Sequence, residues 1–109
     1  MAKEYRDVVL LHASNEPGDV QRALAAVATL GAGQPQTGIR VIVNGAALDG
    51  LTGSDPVVLP ANTEVEACLV GMGKRGITVD QLRPAVLTVP AAVVALAQAQ
   101  FAGAAYIRI

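Results

Sequence analysis

The sequence predicts an α/β fold, a three-layer α/β/α domain with a five-stranded, mainly parallel sheet. Short apolar runs alternate with helical segments along the chain, which is the pattern of a parallel sheet with helices on both faces. Several of the runs are continuously apolar, as expected for strands that are buried on both sides. The chain has 109 residues, only 3% of them aromatic, so we expect one domain with a core of Val, Leu, Ile and Ala.

The first two predicted strands end in polar residues. The first covers residues 7–13 and carries His12 at its carboxyl end, and the second covers residues 39–43 and is closed by Asn44 and Gly45. An Asn-Gly pair supplies positive φ at little cost, so its ordinary interpretation is a tight exit from the strand. The alternative is that its backbone amides line a ligand cleft at this end of the sheet, where His12 would also lie.

Between these strands the chain predicts an amphipathic helix. The preceding turn is polar, and either Asn15 or Asp19 is a suitable cap. Gly31 or Gly33 ends the helix. Its apolar stripe, which we expect to face the sheet, consists of Val20, Leu24, Val27 and Leu30.

The third predicted strand covers residues 65–70 and carries the only cysteine, Cys68. It follows a short helical turn near Leu48 and an irregular loop over residues 52–62. We expect the strand to break at the glycines that follow it, with a turn or short helix over residues 72–76.

The last third of the chain completes the alternation. A capping box at residues 78–81 starts a brief helix, and strands over residues 85–89 and 104–109 flank a helix over residues 91–101. That last helix is apolar nearly all round, which indicates burial on two sides. Charged residues make up only 16% of the chain, against about 25% in typical domains. We therefore expect a homo-oligomer in which this helix touches a neighbouring subunit.

Cys68 is the first candidate for a reactive residue. A thiol near the carboxyl end of a strand, followed by Gly71 and the cations Lys74 and Arg75, lies where ligands gather in open α/β sheets. Positive charge favours the thiolate, which is the reactive species. The alternative is a small buried apolar residue, a common fate of free cysteine. Lys74 and Arg75 are either solvated charges or groups that attract an anion.

His12 is either a general base or ligand-positioning group, or a hydrogen-bonded structural residue. No second histidine and no metal-ligand spacing accompany it, so we expect no metal site. The first strand is not followed by a glycine-rich dinucleotide loop, and we expect no cofactor.

Composition excludes several classes of partner. The net charge of −1 and the absence of a basic stripe argue against nucleic acid. No apolar run approaches the roughly 20 residues that span a bilayer. The polar start of the chain does not resemble a signal peptide, and one cysteine cannot form an internal disulfide, so the cytoplasm is the expected compartment.

The chain resembles the small DsrE/DsrF-like proteins, the YchN-like group associated with intracellular sulfur oxidation and sulfur relay. The resemblance covers nearly the whole length except residues 46–64. It rests on Val-Val-Leu-Leu-His at 8–12, the helix through Leu24, Val-Ile-Val-Asn-Gly at 41–45, Ala-Cys at 67–68, Lys-Arg-Gly-Ile at 74–77, Leu-Arg-Pro at 82–84, Val-Pro at 89–90 and Gly-Ala-Ala-Tyr-Ile-Arg at 103–108.

The resemblance implies an α/β/α fold that assembles into trimers or hexamers, with a trimer the first choice. It also implies a sulfur-carrier or sulfurtransferase-like protein in which Cys68 carries persulfide sulfur, with a sulfur donor or acceptor protein as partner. The alternative function is that of a non-catalytic homo-oligomeric binding protein of the same fold, with a structural cysteine.

Overall fold

A five-stranded, all-parallel sheet forms the centre of the computed structural model, which describes residues 7–109. Its strands lie in the order β4-β3-β2-β1-β5, and all four neighbouring pairs are parallel. The predicted α/β fold class is therefore confirmed, with a sheet that is wholly rather than mainly parallel. The strands are β1 Val8–Ala13, β2 Gly38–Val43, β3 Thr63–Cys68, β4 Leu87–Val89 and β5 Ala105–Arg108.

In the described part of the chain, three α-helices accompany the sheet: α1 Asp19–Gly33, α2 Leu69–Arg75 and α3 Ala92–Phe101. Two short 3₁₀ helices, Gly45–Leu51 and Val79–Gln81, lie between strands. None of the helices within residues 7–109 is long and apolar enough to cross a bilayer. The expectation about the polar start of the chain concerns residues 1–6, which lie outside the described part.

The two faces of the sheet carry separate apolar clusters. The larger cluster packs under α1, whose inner residues Val20, Ala23 and Val27 are buried. The smaller cluster packs under α3. There the buried residues of the helix are all alanines, whose small side chains let it approach the strands closely, and Leu96 packs at the edge of the cluster. The buried members of the smaller cluster are Leu10, Ile42, Cys68, Val89, Ala92, Ala95 and Ala99.

The third strand differs from its prediction in a way that matters for the site. It ends at Cys68, and α2 begins at once with Leu69, so Gly71 and Gly73 lie inside a helix and do not break the chain. The prediction that the strand runs to Val70 was wrong. The sulfur of Cys68 accepts a hydrogen bond from the Gly71 N–H and so caps the helix, which offsets the low helix propensity of glycine.

Two smaller predictions also need correction. Neither Asn15 nor Asp19 caps α1 through its side chain; the Asp19 carboxylate accepts the backbone N–H groups of Asn15 and Glu16 in the preceding turn. The fourth strand starts at Leu87 rather than at residue 85. Ala85 has a φ of +78°, which lies outside the β region of regular strands.

Candidate functional site

Cys68 lies where the end of β3 meets the starts of two helices. Its thiol is free, and the residue is buried, with 5% of its surface exposed. The sulfur accepts the backbone N–H of Gly71 at 3.4 Å and that of Ala92 at 3.3 Å. Both donors belong to the first turns of helices, where backbone N–H groups lack partners within the helix. The sulfur thus satisfies one backbone donor at the start of each helix.

A cavity of about 360 Å³ opens beside this sulfur. The start of α3 forms one wall through Ala91, Ala92 and Val93. The structure thus brings to one place nearly all the residues that the sequence singles out; only His12 is absent from the lining. The predicted residues in the lining are Asn44, Gly45, Cys68, Gly71, Lys74 and Arg75.

Two glycines of the cavity lining, Gly45 and Gly71, occupy positions where a side chain would clash with a neighbouring residue. Gly45 has a φ of +57°, and a Cβ there would lie 2.7 Å from the carbonyl oxygen of Ser14. Only glycine fits such a position without strain. A Cβ on Gly71 would lie 2.8 Å from Cδ1 of Leu48, so glycine also lets α2 pack against the first 3₁₀ helix.

His12 does not line the cavity, and both of its ring nitrogens are hydrogen-bonded. Nε2 is 2.8 Å from Oδ1 of Asn44, and Nδ1 is 2.7 Å from the hydroxyl of Tyr106. Both ring nitrogens therefore have a side-chain partner, and one of these partners, Asn44, lines the cavity.

Sequence reasoning missed Tyr106 as part of this arrangement. The sequence predicts the last strand over residues 104–109 but does not place that strand beside the first. The register pairs His12 with Arg108, so the side chain of Tyr106 lies within reach of the imidazole. A prediction of strand order would have revealed the contact.

The two predicted cations have different surroundings. Arg75 forms a double hydrogen bond with Asp49, with Nη2–Oδ2 at 2.6 Å and Nε–Oδ1 at 3.2 Å. The Arg75 guanidinium lowers the pKa of the Asp49 carboxyl below its usual value, and the carboxylate in turn raises the pKa of Arg75. Lys74 has no carboxylate within ion-pair distance among residues 7–109. Of the two, Lys74 therefore supplies the less compensated positive charge.

The carboxylates of β3 take no part in the cavity. Glu66 is bound by Arg40 of the neighbouring strand through two hydrogen bonds of 2.7 and 2.8 Å. This contact with Glu66 is the main reason why the pKa of Arg40 is raised. Within residues 7–109, no group of three or more His, Cys, Asp or Glu side chains is arranged to hold a metal ion.

The fold of the chain is shared with two solved structures. One is MTH1491 from Methanobacterium thermoautotrophicum, a protein of unknown function, with a TM-score of 0.78 and 21% identity over 97% of this chain and 100% of that one. The other is the YchN protein of E. coli, with a TM-score of 0.60 and 17% identity over the same shares of the two chains. No protein-family profile and no curated protein matches the sequence. The fold is thus YchN-like, as the resemblance implies. Sequence identities this low show a shared fold only.

Proposed function

We propose that this YchN-like chain is a sulfur carrier, sulfurtransferase-like in its chemistry, in which Cys68 holds sulfur as a persulfide. The observation that carries the proposal is the position of the sulfur, which accepts two backbone N–H groups and lines a cavity together with two cations. A nucleophilic cysteine needs stabilisation of its thiolate and room for a second sulfur atom. This arrangement offers both.

The transfer is balanced in atoms and electrons when the donor is itself a persulfide. The Cys68 thiolate attacks the terminal sulfur of the donor and forms a new S–S bond. The S–S bond of the donor breaks, and its electron pair leaves with the inner sulfur as a thiolate. Delivery is the same exchange in reverse, with an acceptor thiolate attacking the terminal sulfur on Cys68, so neither step needs an external oxidant or reductant.

Each wall of the cavity has a part in this scheme. The N–H groups of Gly71 and Ala92 stabilise negative charge on the sulfur of Cys68. Lys74 attracts the anionic donor, and Arg75 contributes less because Asp49 neutralises it. A donor or acceptor protein is the partner that such exchange requires, and a reducing compartment such as the cytoplasm keeps the thiol free between cycles.

A second candidate, from another class, is a non-catalytic binding protein in which Cys68 is structural. It is favoured by the burial of the residue, which belongs to the apolar cluster under α3. In this case the thiol fills space and caps α2, and the cavity binds a small anion without reacting with it.

Sulfur loading of the native protein separates the two candidates. Reduced protein is incubated with inorganic polysulfide and its intact mass is recorded, with Cys68→Ser as the control. The carrier predicts a mass gain of one sulfur atom that dithiothreitol removes and that the control lacks. A native protein that gains no sulfur, while the urea-unfolded chain does, contradicts the carrier and supports the structural cysteine.

A further inference from the structure

We propose that Asn44 is the hydrogen-bond donor that orients a ligand in the Cys68 cavity, and that it selects an anion rich in hydrogen-bond acceptors. In this proposal His12 and Tyr106 are positioning residues, which hold the Asn44 amide in the required orientation. As a statement about the sulfur donor, this rests on the proposed function. The selection of anions by the cavity can be tested apart from it.

The hydrogen bonds to His12 determine where its protons lie. Oδ1 of Asn44 can only accept, so the Nε2 atom that lies 2.8 Å from it must carry a proton. In the neutral imidazole, Nδ1 then accepts the hydroxyl proton of Tyr106, which lies 2.7 Å away. In the charged imidazole, Nδ1 donates to the same hydroxyl. In both states Nε2 donates to Asn44, so the contact does not depend on the charge of the ring.

This contact fixes which end of the Asn44 amide is left for a ligand. Oδ1 is occupied by His12, and no hydrogen bond joins Nδ2 to any group within residues 7–109. The backbone of Asn44 is anchored as well, because its N–H donates to the carbonyl of Ala13 at 3.1 Å. The amide NH₂ therefore remains as a pre-oriented donor on a residue that lines the cavity.

The charges around the cavity favour an anion as the recipient of these donors. Lys74 lines the same space and has no carboxylate partner in the described part of the chain, whereas Arg75 is paired with Asp49. Among the described residues, no carboxylate belongs to the lining. A neutral NH₂ donor combined with an uncompensated ammonium group suits a small anion whose acceptor atoms bond to Asn44 while its reacting sulfur faces Cys68.

Two alkylating reagents of similar size test the selection directly. Iodoacetate is an anion and iodoacetamide is its neutral counterpart, and the ratio of their rates at Cys68 is independent of how much thiolate is present. Both reagents carry a carbonyl-type acceptor, so only the extra strength of a hydrogen bond to a charged acceptor, about 1–1.5 kcal/mol, enters the ratio of their rates. We therefore expect Asn44→Ala to lower the iodoacetate-to-iodoacetamide ratio about 5- to 13-fold. Tyr106→Phe should lower it in the same direction, because the imidazole can then turn its Nε2 into an acceptor and release the amide.

The control is Ile107→Val, on the same strand as Tyr106, which should leave the ratio unchanged. Far-UV circular dichroism and urea unfolding verify that each variant is folded. A ratio that neither Asn44→Ala nor Tyr106→Phe changes would overturn the inference, whatever the sulfur-loading experiment shows. A lowered ratio in a protein that takes up no sulfur would keep the anion site and refute only the carrier.

A readout at His12 covers the case in which neither reagent reaches the native thiol. The nitrogen chemical shifts of the His12 ring report its tautomer. The inference requires that the neutral ring carries its proton on Nε2. Tyr106→Phe should increase the Nδ1–H form. A wild-type ring with its proton on Nδ1 would contradict the inference.

Discussion

The sulfur of Cys68 and the backbone N–H of Ala92 are hydrogen-bonded at 3.3 Å, although the two residues are 24 positions apart in the chain. The bond joins the end of β3 to the first residue of α3. Since the same sulfur also accepts the Gly71 N–H, one atom fixes the starts of two helices. A cysteine placed this way contributes to stability whether or not it also reacts.

Substitutions at Cys68 should separate its capping role from its chemistry. Serine keeps an oxygen that can accept the helix N–H groups, and alanine does not. Loss of a side-chain cap costs about 0.5–2 kcal/mol, so Cys68→Ala should unfold with a free energy about 1 kcal/mol lower than that of Cys68→Ser. Urea unfolding followed by circular dichroism measures the difference. Equal stabilities would show that the capping hydrogen bonds contribute nothing.

The two glycines of α2 form a matched pair. A Cβ on Gly73 meets no atom within 4 Å, whereas one on Gly71 would lie 2.8 Å from Cδ1 of the fully buried Leu48. Glycine in a helix costs about 0.5–1 kcal/mol relative to alanine, so Gly73→Ala should stabilise the protein by that amount. Gly71→Ala should show no such gain or should destabilise the protein, because the side chain of Leu48 must move away from the added Cβ. Thermal unfolding compares them, and equal gains in both variants would contradict the packing.

The pair of Asp49 and Arg75 predicts a dependence on pH. The hydrogen bond from Arg75 lowers the pKa of Asp49 in the folded state, so the unfolded chain binds the proton more readily. The contribution of this carboxylate to stability is therefore full above its ordinary pKa of 3.8 and is lost as the pH falls through the lower folded value. Asp49→Asn should make the acid decline in stability shallower in urea titrations between pH 2 and pH 5, which span the ordinary value.

The same variant should alter the cavity. Without the Asp49 carboxylate, the charge of Arg75 is no longer compensated beside Cys68, so iodoacetate should gain in rate relative to iodoacetamide. Asp80→Asn, which removes a carboxylate that makes no ion pair among the described residues, is the control. An unchanged ratio in Asp49→Asn would show that Arg75 does not act on the thiol.

The outward face of α3 predicts self-association. Phe101 and Val93 are 87% and 74% exposed, although both are large apolar residues. A second copy of the chain is the partner expected from the low charge content, in a homotrimer or hexamer. Light scattering after gel filtration should give a multiple of the 11.1 kDa chain mass, and Phe101→Asp should reduce it. A wild-type monomer at micromolar concentration would contradict the expectation.

Local sequence patterns predicted the elements of this fold well where one physical cause dominates. The apolar run in β1 and the stripe of α1 depend only on burial, and both lie where expected. The start of α2 could not be predicted in this way, because Gly71 and Gly73 have poor helix propensity and the stabilising hydrogen bond comes from a sulfur at the end of the strand.

In the candidate site, too, some residues could be predicted from local sequence patterns and others could not. The residues at the strand ends could be grouped because parallel strands finish at one edge of a sheet, and six of the seven predicted residues line one cavity. The ion pair of Asp49 with Arg75 and the contact of Tyr106 with His12 join residues 26 and 94 positions apart. Such contacts depend on strand order and loop path, which local patterns do not encode.

The pairing of β1 with β5 has a consequence for the order of folding. Joining these strands closes a loop of nearly the whole chain, as the separation of 94 positions between His12 and Tyr106 shows. When a long loop closes, the chain loses conformational entropy before stabilising contacts form, and parallel sheets fold slowly for this reason. Tyr106 should therefore reach the imidazole late in refolding, after the central strands have assembled.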